Sequence, residues 1–160
     1  MKEGKSDGGK VVELQSQANQ RRATKKWGVA AMNATGFCIL PSLLIKAQAR
    51  LGLNPTQFAV IIQLADMWWQ PGSNPWPKKE TIAARMKLSP RQFQRKIEEL
   101  ETFGYVKRIA RIKGGRGQTS NEYDMSGLVK RLRELAPEFE KAKAEKLKVE
   151  KPGAKIGKSL

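Results

Sequence analysis

The chain predicts a mainly α-helical domain with one small β-hairpin, flanked by disordered basic tails. Three observations carry that expectation. Asn54-Pro55-Thr56-Gln57 and Ser89-Pro90-Arg91-Gln92 each place a capping side chain, a proline and a glutamine in the order that opens a helix. Lys113-Gly114-Gly115-Arg116-Gly117 is a glycine-rich turn between two segments of strand character. Aromatic and branched residues concentrate between Phe37 and Leu135, and the ends are rich in lysine, glycine and polar residues.

From this follow three regions: a disordered basic tail over 1–26, one domain over 27–136, and a charged helical or disordered basic tail over 137–160. The formal charge is +16, from 31 Lys and Arg against 15 Asp and Glu. A surplus of that size points to a polyanionic partner, nucleic acid before anionic membrane. Residues 37–128 carry 14 cations against 7 anions, so more than half of the surplus lies outside the central segment.

Several chemistries are excluded at once. The chain has no histidine and one cysteine, which removes a His/Cys zinc site, a Ser-His-Asp triad and a Cys-His pair. The remaining carboxylates are scattered over amphipathic segments, so no enzyme and no cofactor is expected. Cys38 lies in the apolar run Phe37-Cys38-Ile39-Leu40 and is expected as a small core residue. A lone thiol suits a reducing compartment. Residues 1–10 lack a signal-like apolar stretch, and no apolar run approaches the ~18 residues of a membrane span. A cytoplasmic, nucleoid-associated protein is therefore expected, with no membrane partner and no small-molecule ligand.

Phe37–Leu40 is expected as a short strand stopped by Pro41, and Ser42–Arg50 as a short helix ending near Gly52. Asn54 then caps a helix that buries Phe58, Ile61, Ile62, Ala65 and Trp69. Pro71-Gly72 breaks it. Trp68, Trp69 and Trp76 could form a stacking platform for bases, but core packing around the helix end is the favoured reading.

The informative stretch runs from Lys79 to Tyr105. A helix over Lys79–Met86 is followed after only Lys87-Leu88 by the second capped helix, and two helices joined so tightly cross steeply, as in a helix-turn-helix. Ala83 is the small residue where they touch. On the second helix Phe93, Ile97 and Leu100 share one face, while Arg91, Arg95, Glu98 and Thr102 share the opposite one, flanked by Gln92 and Gln94. Arginine and glutamine can bond base edges bidentately in a major groove. The glutamates Glu98, Glu99 and Glu101 crowd the carboxy-terminal half and would be repelled by phosphate, so this helix is expected to enter a groove amino end first. Gly104 ends it, and strands over Tyr105–Ile112 and Ser120–Asp124 enclose the basic turn. That hairpin, placed directly after the second helix, is a wing whose Lys113 and Arg116 suit the sugar–phosphate backbone.

The chain here resembles the bacterial winged helix-turn-helix DNA-binding proteins, found among transcription regulators and plasmid or phage replication proteins. The resemblance spans about residues 27–136. It rests on Gly36-Phe37, Pro41, Leu51-Gly52-Leu53, Trp68-Trp69, Trp76-Pro77, Thr81-Ile82-Ala83, Leu88-Ser89-Pro90-Arg91, Arg95, Leu100-Glu101, Gly104-Tyr105-Val106 and Tyr123-Asp124-Met125-Ser126-Gly127-Leu128. Two departures stand out: Lys87, where the family commonly has glycine in the turn, and Lys78, where Ser or Thr would normally cap the helix. Leu128, Leu132 and Leu135 mark one face of a further helix, terminated or interrupted by Pro137, that meets either its own core or a partner chain.

The expected function is sequence-specific binding of double-stranded DNA in transcription regulation. Initiation of plasmid or phage replication is the alternative, and a winged-helix protein-interaction module is a more distant one. The expected contacts are Lys79, Ser89, Arg91, Gln92, Gln94, Arg95, Lys113 and Arg116, and a homodimer is common for half-site readers.

Overall fold

The computed structural model describes residues 8–70, 72–112 and 119–150, with side chains over 17–146 of these. The chain divides into two compact units, Met1–Cys38 and Ile39–Leu160.

The first unit contains helices α1 (Gly8–Trp27) and α2 (Val29–Thr35), joined at Gly28 with φ 85°. Helix α1 lies within the stretch expected as a basic tail over 1–26, and the two compact units divide at 38/39. Residues 10–26 contain no proline or glycine and are rich in Gln, Ala, Arg and Lys, all good helix formers. The missing apolar stripe signals that such a helix buries little, not that it cannot form. Accordingly α2 has no buried residue.

The second unit runs α3 (Ser42–Lys46), α4 (Pro55–Asp66), α5 (Lys79–Arg85), α6 (Pro90–Thr102), β1 (Lys107–Ile109), β2 (Glu122–Asp124) and α7 (Ser126–Glu150). Phe37–Leu40 forms no strand, and the one sheet among the described residues is the β1–β2 pair. Cys38 is half-buried rather than a core residue. The core gathers Leu51, Val60, Ile61, Leu64, Ile82, Phe93, Ile97, Leu100 and Leu135.

Helix α4 starts as expected: the Asn54 side chain accepts from the Gln57 N–H, and the Gln57 side chain accepts from the Asn54 N–H, both at 2.9 Å. Its buried face differs from the expected one. Gln57, Val60, Ile61 and Leu64 are buried, Phe58, Ile62 and Ala65 lie at the margin, and the helix stops before Trp69. The three tryptophans Trp68, Trp69 and Trp76 are exposed, which corrects the expectation of core packing. With α4 ending at Asp66, none of them falls on its buried face.

Helices α5 and α6 are joined by a turn in which Lys87 takes φ 53°. The Lys87 N–H donates to Ala84 C=O at 3.1 Å and the Leu88 N–H to Ala83 C=O at 2.8 Å, closing the last turn of α5 as a left-handed cap. A β-carbon there is strained by about 1 kcal/mol. Lys87→Gly is therefore expected to leave stability unchanged or raise it by up to about 1 kcal/mol in urea unfolding, glycine's added freedom in the unfolded chain offsetting part of the relief. A clear loss would contradict the left-handed turn.

Strands β1 and β2 pair antiparallel with Arg108 opposite Tyr123, and the Thr119 N–H to Arg111 C=O bond extends the pairing beyond them. Both strands are shorter than expected. The Tyr123 N–H donates to Pro75 C=O at 2.9 Å, so the loop before α5 is pinned to the hairpin.

Helix α7 passes through Pro137 rather than ending there. Proline removes one helical hydrogen bond and crowds the preceding turn. Packing on both sides compensates: Leu135 is buried before it, Phe139 packs on the core after it, and Glu138 meets Arg50 at 2.6 Å. Leu128, Leu132 and Leu135 thus pack on the domain's own core.

Candidate nucleic-acid interface

The capped start of α6 fixes the site. The Ser89 hydroxyl oxygen accepts from the Gln92 N–H at 3.2 Å, and the Gln92 side-chain oxygen accepts from the Ser89 N–H at 2.8 Å. Phe93, Ile97 and Leu100 are fully buried beneath, which turns Arg91, Arg95 and Glu98 outward. Ser89, Arg91, Gln92, Gln94 and Arg95 line one shallow concavity of about 460 Å³ together with Glu98. Five of the eight residues expected from the sequence are therefore together. Arg91 has no ion-pair partner among the described residues, while Arg95 lies 4.0 Å from Glu99 with two thirds of its side chain exposed.

Gln92 is the member whose role is narrowed. Reading adenine bidentately takes both its oxygen and its nitrogen, and the oxygen already serves the cap. Its amide nitrogen is what remains to donate.

Lys79 sits apart from this face, at the start of α5, and shares a second cleft of about 470 Å³ with Lys78, Gln94, Ser120 and Tyr123. Gln94 joins the two concavities, so the exposed face of α6 continues towards the hairpin. Lys78 precedes α5 with no side-chain cap, as the sequence implies. Lys113 and Arg116 lie outside the described residues.

Two of the carboxylates of α6, Glu99 and Glu101, expected from the sequence only as repulsive to phosphate, are held by internal hydrogen bonds, while Glu98 stays exposed. Glu99 accepts from Lys96 at 2.8 Å and from the nearly buried Gln57 at 2.8 Å, linking α6 to α4. Glu101 accepts from the Arg108 backbone N–H at 2.9 Å and from its guanidinium at 2.6–3.1 Å, linking α6 to β1. The Arg108 hydrogen bonds hold the Glu101 carboxyl below its ordinary value of 4.5, and the Lys96 hydrogen bond does the same for Glu99. The Lys96–Glu99 pair follows from i,i+3 spacing on one helix, but nothing in the spacing announces Gln57–Glu99 or Glu101–Arg108, because each crosses between elements.

Both carboxyls are more acidic folded than unfolded, so their contribution is present above pH 4.5 and is lost as pH falls through their folded values. Glu101→Gln is expected to cost about 1–3 kcal/mol at neutral pH. It is also expected to flatten the loss of stability below pH ~4.5 in urea unfolding at stepped pH. An acid limb as steep as the parent's would contradict the pairing.

Among the described residues no group of three or more His, Cys, Asp or Glu side chains is placed to hold a metal, and no helix is long and apolar enough to cross a membrane.

Residues 51–106 match the family model of a helix-turn-helix domain, from the end of α3's turn to the start of β1. No curated protein matches the sequence. Among solved structures, one described as a possible transcriptional regulator from Methanosarcina mazei Go1 is similar at 15% identity, over 66% of this chain and 83% of that one, with a TM-score of 0.42. A MarR-family transcriptional regulator from Rhodococcus sp. RHA1 is similar at 17% identity, over 96% and 86%, with a TM-score of 0.38. Disulfide-formed AbfR is similar at 16% identity, over 89% and 93%, also with a TM-score of 0.38. Likenesses of this size decide neither partner nor activity. The capped helix pair, its left-handed turn, the hairpin that follows and the match to the family model agree on a helix-turn-helix over residues 51–106, with the β1–β2 hairpin as its wing.

Proposed function

We propose that the protein binds double-stranded DNA sequence-specifically and regulates transcription, with α6 as the reading helix. The observation that carries this is the amino-terminal half of α6, where Arg91, Gln94 and Arg95 project together from a face whose opposite side is fully buried. Arg91 and Arg95 suit guanine edges, and Gln94 keeps both amide atoms for adenine. Gln92 and the Ser89 hydroxyl contribute donors to phosphate beside the cap. Lys79, together with Lys113 and Arg116, holds the backbone to either side. The surplus of cations at the two ends raises affinity for any duplex without telling one base from another. The reading places the protein with cytoplasmic DNA and gives it a binding rather than a catalytic role.

The test is selection of binding sites from a pool of random duplexes with the full chain. One enriched motif is expected, and its symmetry reads the number of copies bound: an inverted repeat means a dimer. A pool that gains affinity without gaining any motif would contradict sequence-specific reading.

A further inference from the structure

We propose that the slot walled by Trp69 and Trp76 takes an unpaired nucleobase of DNA lying on the same face as α6. The proposal extends the duplex reading, and its binding test stands apart from it. Trp69 is 78% exposed and Trp76 58% exposed, an unusual outlay of indole surface for a domain of this size. Both rings line one cleft of about 510 Å³ with Pro77, Lys78, Thr81 and Ser120.

Trp76 is held in place rather than left loose. The Ser120 hydroxyl donates to Trp76 C=O at 3.1 Å, and the Tyr123 N–H donates to Pro75 C=O just before it. The Arg111 guanidinium lies over the Trp76 ring at 4.5 Å and is itself fixed by Glu122 at 3.3 Å. A ring ordered beforehand loses little freedom when a second ring stacks on it.

Position and charge choose the occupant. Lys78 and Ser120 line both this slot and the cleft beside α5, and Gln94 carries that cleft on to the face of α6. One surface thus runs from the reading helix to the indoles. Lys78 has no ion-pair partner among the described residues and lines the slot, so its charge is available to a phosphate of the stacked nucleotide. A free planar molecule would stay half wet between rings this exposed, whereas a base tethered to DNA held on α6 is presented at high effective concentration. Every base has a π-face, so the slot would favour single-stranded character over sequence.

The test is fluorescence anisotropy of the full chain with three labelled probes: a paired duplex carrying the selected motif, the same duplex with thymine tails, and an oligothymidylate of about twelve nucleotides. The tailed duplex is expected to bind about fivefold or more tighter than the paired one, the lower end for one stacked base. Trp69→Ala and Trp76→Ala should each erase that preference, leave paired-duplex affinity unchanged and keep the parent's circular dichroism. Trp76→Phe should retain part of it. No preference for tails in the parent, or a preference that survives both alanine variants, overturns the slot. If the paired duplex shows no specific binding, the duplex reading fails. Oligothymidylate binding lost in both alanine variants still supports the slot, and binding unchanged in them overturns it.

Discussion

Phe93→Ala is expected to cost about 3–5 kcal/mol of stability, a large share of what a domain of this size possesses. Phe93 is fully buried and meets the Tyr123 ring edge-on, with centroids 6.2 Å apart and planes at 76°. It therefore ties the reading helix to β2 as well as filling the core. Removing the ring leaves a cavity where α6 and the hairpin converge, and the backbone cannot collapse into it without moving both. Urea unfolding checks the size of the loss, and Phe93→Leu, which keeps much of the volume, should cost clearly less. A loss under about 1 kcal/mol for the alanine variant would mean that α6 is not seated through this side chain.

Gly127→Ala tests the other close approach, and here the sign itself is informative. Gly127 lies in the first turn of α7, where alanine would ordinarily stabilise a helix by about 1 kcal/mol. A β-carbon at this position would fall 1.9 Å from the Gly104 carbonyl oxygen and 3.1 Å from its carbon. That obstacle is backbone, fixed by the bond from the Gly104 N–H to Glu101 C=O and by the Leu128 N–H donating to Tyr105 C=O. Either α7 or the turn that ends α6 must shift, so a loss of about 3 kcal/mol is expected in thermal or urea unfolding. A gain in stability would contradict the close packing of α7 against that turn.

The sequence discloses what is local and hides what is not. Both capping boxes, the burial of Phe93, Ile97 and Leu100 and the hairpin after α6 follow from residues within a few positions of one another. The Gln57–Glu99 bond and the Glu101–Arg108 clamp join separate elements, so no periodicity reveals them. Tryptophan is misread for a related reason. Composition says that Trp69 and Trp76 should be inside, but whether an indole at a helix end turns inward depends on which face the core has already filled with Val60, Ile61 and Leu64. Pro137 misleads in the same way, because Phe139 and the Glu138–Arg50 pair hold the helix beyond it. At the site, five of the expected residues share one face because they belong to one capped helix, whereas the double duty of Gln92 is invisible until its oxygen is seen in the cap.

The most direct measurement of the central claim is the ratio of affinities for the selected site and a scrambled duplex, in the parent, Arg91→Ala and Arg95→Ala. Both side chains point outward, so the variants should unfold like the parent. Each is expected to lose about 1–3 kcal/mol on the selected site, roughly 5- to 150-fold, while binding of the scrambled duplex changes little. The ratio should fall accordingly, and at salt held constant between probes, because phosphate contacts scale both affinities together. If both variants hold the selected site as tightly as the parent, α6 does not read DNA and the account fails.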